Sequence, residues 1–423
     1  MTPNRSIPAR PLAGMTVSRE DWRLAESSSF LEVSLPAIEH NARSFVAFAG
    51  AHGSQTQVCA VVKKNAYGLG AVPVANRVIK AGVSMLAVYS AEEAMELIQA
   101  SISVPILMLM PLERLTRNDN VLYRHAVNGR LHASLHDADQ LNRLNDIGRD
   151  LALHMPIHLH LDTGMSRSGF RAETLSRLIK EDLPKSKAKV VGLYTHLASS
   201  DTDPKASAVQ IRELLDFYAA HKAVLPPNIL IHAANTCATL RDQDSHLGMV
   251  RVGLGLAGVG PELIRNNGLF AKSPLELRQA IVWKSRVIHA AHYPSGSTVG
   301  YQSTYRLAED AVLGVVPVGY GDGYPLALAN KGLVRVKRKG YPPVDCPVRG
   351  LVNMDQIVID LTGVLTSGAD PLTLKGSEVD IISCDPDAPN TLSRFAEMAG
   401  MHAYGVLCGI SARVPRKYVY QDA

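Results

Sequence analysis

A β-branched run, Ala60-Val61-Val62, delivers Lys63 and Lys64 to a strand end, and Asn65-Ala66-Tyr67-Gly68-Leu69-Gly70 follows at once as a turn. An amine held at such a terminus can be desolvated and aimed at a carbonyl ligand, which is what Schiff-base chemistry asks of a lysine. Two solvated lysines closing a strand would look the same, so the rest of the chain has to decide between them. Arg167 follows the strand end Leu161-Asp162, and His196, Asn235 and Arg251 stand at comparable places further on. His154, His158 and His160 are close in sequence, the last two on one strand face. With no flanking cysteine and only Asp162 nearby, packing or hydrogen bonding accounts for them better than a metal does, and no metal site is expected. Gly253-Leu254-Gly255-Leu256-Ala257-Gly258 satisfies G-x-G-x-x-G, yet no clear helix opens after it and no βαβ unit surrounds it. Its glycines suit a different task, letting backbone N–H groups approach a phosphate at a barrel rim. Gly164–Gly169 is not a nucleophile elbow, which would need glycine at Ser168.

These residues need elements to hold them. Strand-like segments recur at Val58–Val62, Met85–Tyr89, Pro105–Met110, Leu131–Leu135, Ile157–Leu161, Val190–Tyr194, Ile229–Ala233 and Met249–Val252. Helical patterns lie between them: Ser90-Ala91-Glu92-Glu93 is a capping box for a helix over 91–100, Asp203-Pro204 supplies an N-cap and an N1 proline, and Asp137 precedes Leu141, Leu144 and Ile147. Eight alternations predict an α/β fold, a (β/α)8 TIM-type barrel over 30–272, with its chemistry at the strand C-termini. From 273 to 423 the texture changes to short Val/Ile-rich strands at Ala280–His289, Ala311–Val318, Leu333–Lys337, Gln356–Leu361 and Val379–Ser383, with one helix at Leu392–Met398. This is a mainly β C-terminal domain. The early strand over 30–35 is expected to join it, and residues 1–29 form an N-terminal extension.

Composition narrows the class. A chain of 423 residues with 46% hydrophobic and 20% charged residues is that of a globular enzyme with more than one core. The net charge of +5 is spread out. The single basic run, Arg335 to Lys339, reads as an exposed turn, so no nucleic-acid partner is expected. Five cysteines without C-x-x-C spacing indicate neither a disulfide framework nor zinc. Met1 to Glu26 lacks the apolar core of a signal peptide, and no 18-residue apolar run follows, so a cytoplasmic protein with no membrane partner is expected.

Eight separated segments, in order, resemble the alanine racemase family, whose cofactor is pyridoxal 5'-phosphate (PLP). Lys63-Lys64-Asn65-Ala66-Tyr67-Gly68 is similar to its cofactor-lysine strand, which implies Lys63 at the Schiff-base position and Tyr67 at the phosphate. Asp162-Thr163-Gly164-Met165-Ser166-Arg167 resembles D-T-G-M-x-R and implies that Arg167 meets the cofactor phenolic oxygen and the substrate carboxylate. Tyr194-Thr195-His196 implies that His196 buttresses the arginine beside the pyridine ring, a role that falls to Arg251 of Met249-Val250-Arg251-Val252-Gly253. His232-Ala233-Ala234-Asn235-Thr236 resembles the phosphate cup, which brings in Asn235, Thr236, Gly253 and Leu254. Val299-Gly300-Tyr301 is similar to the segment carrying a second base, Tyr301, and Gly319–Gly323 and Asn353–Gln356 imply substrate-side contacts from Tyr320, Met354 and Asp355. The resemblance therefore implies a two-base racemase of alanine, and of other small or medium amino acids, that works as a homodimer with shared sites.

Several positions depart from the family pattern. His160 stands where many members have a lysine, carbamylated in some, that positions the arginine corresponding to Arg167. Ala412 replaces a tyrosine in Ser411-Ala412-Arg413-Val414-Pro415-Arg416, and Ala257 and Leu69 stand where tyrosine and histidine are usual. His292–Tyr301 is closer in texture to the broad-specificity racemases. Two other functions fit the same outline: a PLP-dependent decarboxylase, which would place an acid where Arg251 stands, and a non-catalytic PLP-binding protein, which would need only the barrel.

Overall fold

The computed structural model describes residues 28–51, 55–260, 274–366 and 368–421. The 272/273 boundary and all but the last two residues of the 1–29 extension lie outside the described residues. Strand β1 (Phe30–Ser34) comes first, followed by the barrel strands β2 (Gln57–Val61), β3 (Met85–Val88), β4 (Ile106–Met108), β5 (Leu131–Leu135), β6 (Met155–His160), β7 (Ala188–Tyr194), β8 (Leu230–His232) and β9 (Met249–Val252). The eight barrel strands run parallel in the order β8-β7-β6-β5-β4-β3-β2-β9. The ring is closed by the Gly248 N–H donating to Ile231 O and the Arg251 N–H donating to Ala234 O, both at 2.9 Å. β3, β5 and β6 are buried along their whole length, as strands covered outside by helices and inside by the packed barrel interior must be. The crossover helices start at side-chain caps: Ser34 for Leu35–Ala49, Ser90 for Ala91–Gln99, Asp137 for Ala138–Leu151 and Asp203 for Pro204–His221.

The barrel interior has two halves. Cys59, Met85, Ala87, Leu107 and Met249 pack together as an apolar half with Val61, Leu109 and Leu230. Across from them, alternate residues of β5 to β9 are polar: His132, Ser134, His158, His160, Tyr194, His232 and Arg251. Strand period two puts each set on one face. The polar half needs Gly192, because a Cβ there would lie 2.1 Å from His158 Nδ1.

The second sheet has nine strands, with β1 antiparallel to β10 (Ile281–Arg286) and parallel to the last strand, Arg416–Val419. The expected single strand over 280–289 is instead two, β10 and His289–Tyr293, because Val287 bonds out to Ser377 and lets the chain turn to a different neighbour. Strand Val344–Arg349 carries Pro347, and Arg416–Val419 opens on two cations, so neither shows the usual strand signature. The basic run is not simply an exposed turn. Arg335 lies inside strand Leu333–Lys337, is buried, and pairs with Asp345 and Asp385.

Candidate active site

The C-terminal ends of the barrel strands open into a cavity of about 1040 Å³. Lys63, Tyr67, Arg167, His196, Asn235, Thr236, Arg251, Gly253 and Leu254 all line it. Tyr301, Tyr320, Met354 and Asp355 do not. They lie on the second domain, with Tyr301 71% exposed, Tyr320 44% and Met354 53%. The Tyr320 N–H donates to Asn353 O and the Gly321 N–H to Met354 O, which ties those two segments together, and Arg413 bridges Asp322 and Asp355.

After β2 the chain makes a turn of left-handed hand: φ is 54°, 54°, 51° and 57° from Lys64 to Tyr67, then 87° at Gly68. Left-handed backbone costs a non-glycine residue about 1–2 kcal/mol, so four in a row need support from their surroundings. Glu93 gives part of it, accepting the Lys64 and Tyr89 N–H groups at 2.7 Å each. Asn65 Oδ1 accepts the Ala71 N–H at 2.6 Å, and Arg416 Nε from the last strand donates to Gly68 O at 2.9 Å. The turn leaves Lys63 half-buried and Lys64 exposed. Burial lowers the Lys63 pKa, and the Arg167 charge lowers it further against an opposing pull from Glu93.

Arg167 is carried by the loop after β6. Asp162 Oδ1 accepts the N–H groups of Gly164, Met165 and Ser166 at 3.1, 2.9 and 3.1 Å and coils the loop around itself. Arg167 is exposed at its tip and makes no hydrogen bond or ion pair with the described residues.

Arg251 is buried, and among the described residues no carboxylate pairs with it. NH1 donates to His232 Nδ1 at 2.8 Å, while NH2 reaches Thr195 O at 2.9 Å, Ala233 O at 3.0 Å and His196 Nδ1 at 3.1 Å. An arginine only donates, so both histidines accept at Nδ1 and carry their proton on Nε2. That constraint propagates. His232 Nε2 donates to His158 Nδ1 at 2.9 Å, His158 Nε2 to His132 Nδ1 at 3.0 Å, and His132 Nε2 to Gly129 O at 3.2 Å. The row begins at an obligate donor and ends at an obligate acceptor, so its polarity is fixed at both ends. Burial keeps the rings neutral, pushing His132 down to about 4 and His196, with help from Arg251, to about 3.

The far wall is built around Gly253, where a Cβ would meet the Tyr67 hydroxyl at 2.4 Å. Thr236 Oγ1 accepts the Gly253 and Gly255 N–H groups at 3.2 and 3.4 Å. Asn235 caps helix Thr236–Arg241 through the Ala238 N–H at 3.1 Å. Three cavity residues gave no signal in the motifs. Tyr404 and Cys408 come from helix Ala403–Gly409, hidden by its two glycines, while His136 continues the His132/Ser134 face and period two could have found it.

The residues present fit PLP. An amine with a lowered pKa faces the cavity, Gly253 leaves the Tyr67 phenol room that a side chain would take, and both terminal nitrogens of Arg251 are taken, which leaves its Nε for a ring nitrogen. Barrel and site together define a PLP-binding barrel protein. The family model for the alanine racemase N-terminal domain matches residues 33–261, and that for its C-terminal domain matches 280–418. The chain is 32% identical to the alanine racemase of Halothermothrix orenii over 86% of this chain and 91% of that one. It is 33% identical to that of Symbiobacterium thermophilum over 92% and 97%. Among solved structures, the Streptomyces lavendulae alanine racemase superposes with a TM-score of 0.80 at 28% identity, covering 93% of this chain and 98% of that one. The Bartonella henselae enzyme, solved with covalently bound pyridoxal phosphate, gives 0.76 at 25% identity over 93% and 100%. The chain belongs to the alanine racemase family.

Proposed function

We propose that this protein interconverts L- and D-alanine, with Lys63 and Tyr301 as the two bases and Arg167 holding the substrate carboxylate. When bound, PLP supplies the electron sink for the carbanion formed at Cα. Lys63 would hold the cofactor and, with its pKa lowered by burial, return as a neutral amine able to accept the Cα proton from one face. Arg251, held among neutral histidines, would keep its proton beside a cofactor ring nitrogen, which would keep the sink moderate and disfavour transamination. Tyr67 and the backbone beside Gly253 and Leu254 would meet the phosphate.

Proton delivery from the opposite face falls to Tyr301, which in a single chain lies outside the cavity and is largely exposed. A homodimer in which Tyr301 of the partner subunit enters the barrel mouth satisfies both facts. The exposed side chains of Tyr301, Tyr320 and Met354 on one domain favour that docking. Small and medium amino acids other than alanine, including bulkier ones, would be further substrates, because exposed Ala412 offers no phenol to narrow the entrance. All five cysteines are free thiols, which suits a reducing cytoplasm. No helix among the described residues is long and apolar enough to cross a membrane. The decarboxylase alternative is disfavoured by Arg251, which stands where such an enzyme needs an acid; the carrier alternative is disfavoured by the second domain.

The observation that carries the reading is a half-buried, pKa-lowered Lys63 opposite an Arg251 held by neutral acceptors. Incubation of the holoenzyme with L-alanine, followed by chiral chromatography, should give an equal mixture of enantiomers. Ethylamine, or unchanged L-alanine, would contradict it.

A further inference from the structure

The β5–β6 face of the cavity holds a second histidine pair. His136 Nε2 lies 2.9 Å from Leu109 O, and His136 Nδ1 lies 2.8 Å from His160 Nδ1. A carbonyl oxygen only accepts, so His136 carries its proton on Nε2 and its Nδ1 is a lone pair. His160 must then donate from Nδ1, which leaves His160 Nε2 as a bare acceptor. That atom is buried and has no partner among the described residues, although the residue is only 3% exposed. The ring cannot swing away to find one, because it stacks on Tyr194 with centroids 4.3 Å apart and planes 6° apart. A buried acceptor left unpaired forfeits its hydrogen bond to water with nothing in return, so the site gains by bringing a donor to it.

Arg167 is the donor that fits. It lines the same cavity as both histidines, sits at a loop tip, and has no hydrogen bond or ion pair of its own with the described residues. Its charge bears on both rings, as it does on His196. Burial, the first cause, and then His136, Arg251, His196 and Arg167 keep His160 neutral, pushing it down to about 2, so the lone pair is not lost to protonation.

We propose that His160 Nε2 is the acceptor on which the Arg167 guanidinium docks, with His136 locking the tautomer that keeps this lone pair free. His160 and His136 are then positioning residues. One edge of the guanidinium is fixed by a neutral imidazole, and the other edge is presented flat to a carboxylate. The site stays one negative charge poorer than one built on an anionic acceptor, which strengthens its pull on a substrate carboxylate. This rests on the reading of Arg167 as the carboxylate-binding residue.

The test uses propionate, a carboxylate with no amine to react, titrated calorimetrically into the holoenzyme. His160→Phe keeps the ring stack but removes the acceptor, and should weaken propionate about tenfold to a hundredfold, the scale of one hydrogen bond to a charged group. His160→Gln, which restores an acceptor oxygen, should recover most of that loss. Equal losses in Phe and Gln, or wild-type affinity in Phe, overturn the proposal. Wild-type affinity in Arg167→Ala overturns the reading of Arg167 instead. Nitrogen-15 spectra of the wild-type holoenzyme test the lock without any substitution: His160 protonated on Nδ1 and His136 on Nε2 are expected, and the opposite pair of tautomers overturns it.

Discussion

Replacing His158 with leucine should damage the barrel more than any change of volume explains. His158 is fully buried, accepts from His232 at 2.9 Å and donates to His132 at 3.0 Å. Leucine removes both bonds at once and leaves two groups stranded, the His232 Nε2–H and the His132 Nδ1 lone pair. A buried polar group left unpaired costs about 1–3 kcal/mol, so the pair sets an expected loss of about 2–6 kcal/mol. Urea denaturation followed by circular dichroism reads the loss, and the His132→Leu/His158→Leu double variant sharpens it. In the double variant His132 is no longer stranded, so it should lose less than the two single losses added together. A single-variant loss below about 0.5 kcal/mol, the range of inert surface changes, would refute the fixed-polarity row.

The histidines also set an acid limit. His132 is pushed down to about 4, and His158 and His232 lie well below their ordinary value. Above about pH 6.5 neither folded nor unfolded chain protonates them; below it the unfolded chain binds protons that the folded chain refuses, so stability falls by about 1.4 kcal/mol per pH unit for each ring. Urea midpoints from pH 7.5 to 4.5 should fall accordingly, His132→Gln should flatten the slope by about one proton, and a flat wild-type profile would contradict the assignment. Borohydride reduction of the holoenzyme and peptide mapping should place the pyridoxyl group on half-buried Lys63; finding it on exposed Lys64 would contradict the site. Restoring tyrosine at exposed Ala412 should slow large substrates more than alanine, within the roughly 10- to 200-fold that a methylene decides in an apolar pocket. Equal slowing across a panel of amino acids would mean that the position acts elsewhere.

What was legible followed from local rules. All eight barrel strands and the caps at Ser90, Asp137 and Asp203 were visible because apolar runs and capping side chains signal within a few residues. The second domain was read less well: Val287 breaks a strand through a bond to Ser377, ninety residues away, and no local pattern announces it. The left-handed turn at Lys64–Tyr67 was hidden for a related reason, since Glu93 and Arg416 stabilise it from distant elements. Arg335 reads as one cation of a basic run until its partners Asp345 and Asp385 are placed around it. The histidine row could be suspected from period two but its polarity could not, because that depends on Arg251 and Gly129 standing at opposite ends.

The most direct measurement of the two-base account is complementation between Lys63→Ala and Tyr301→Phe chains, dissociated and reassociated in equal amounts. Each variant alone should lose a factor on the order of 10² to 10⁴, as expected for a positioned acid or base. Random assortment makes half the dimers hybrids, each with one intact site of two, so activity should return to roughly a quarter of wild type under two-fold symmetry. Hybrids that demonstrably form yet show no recovery would contradict the sharing of Tyr301 across subunits and its role as the second base.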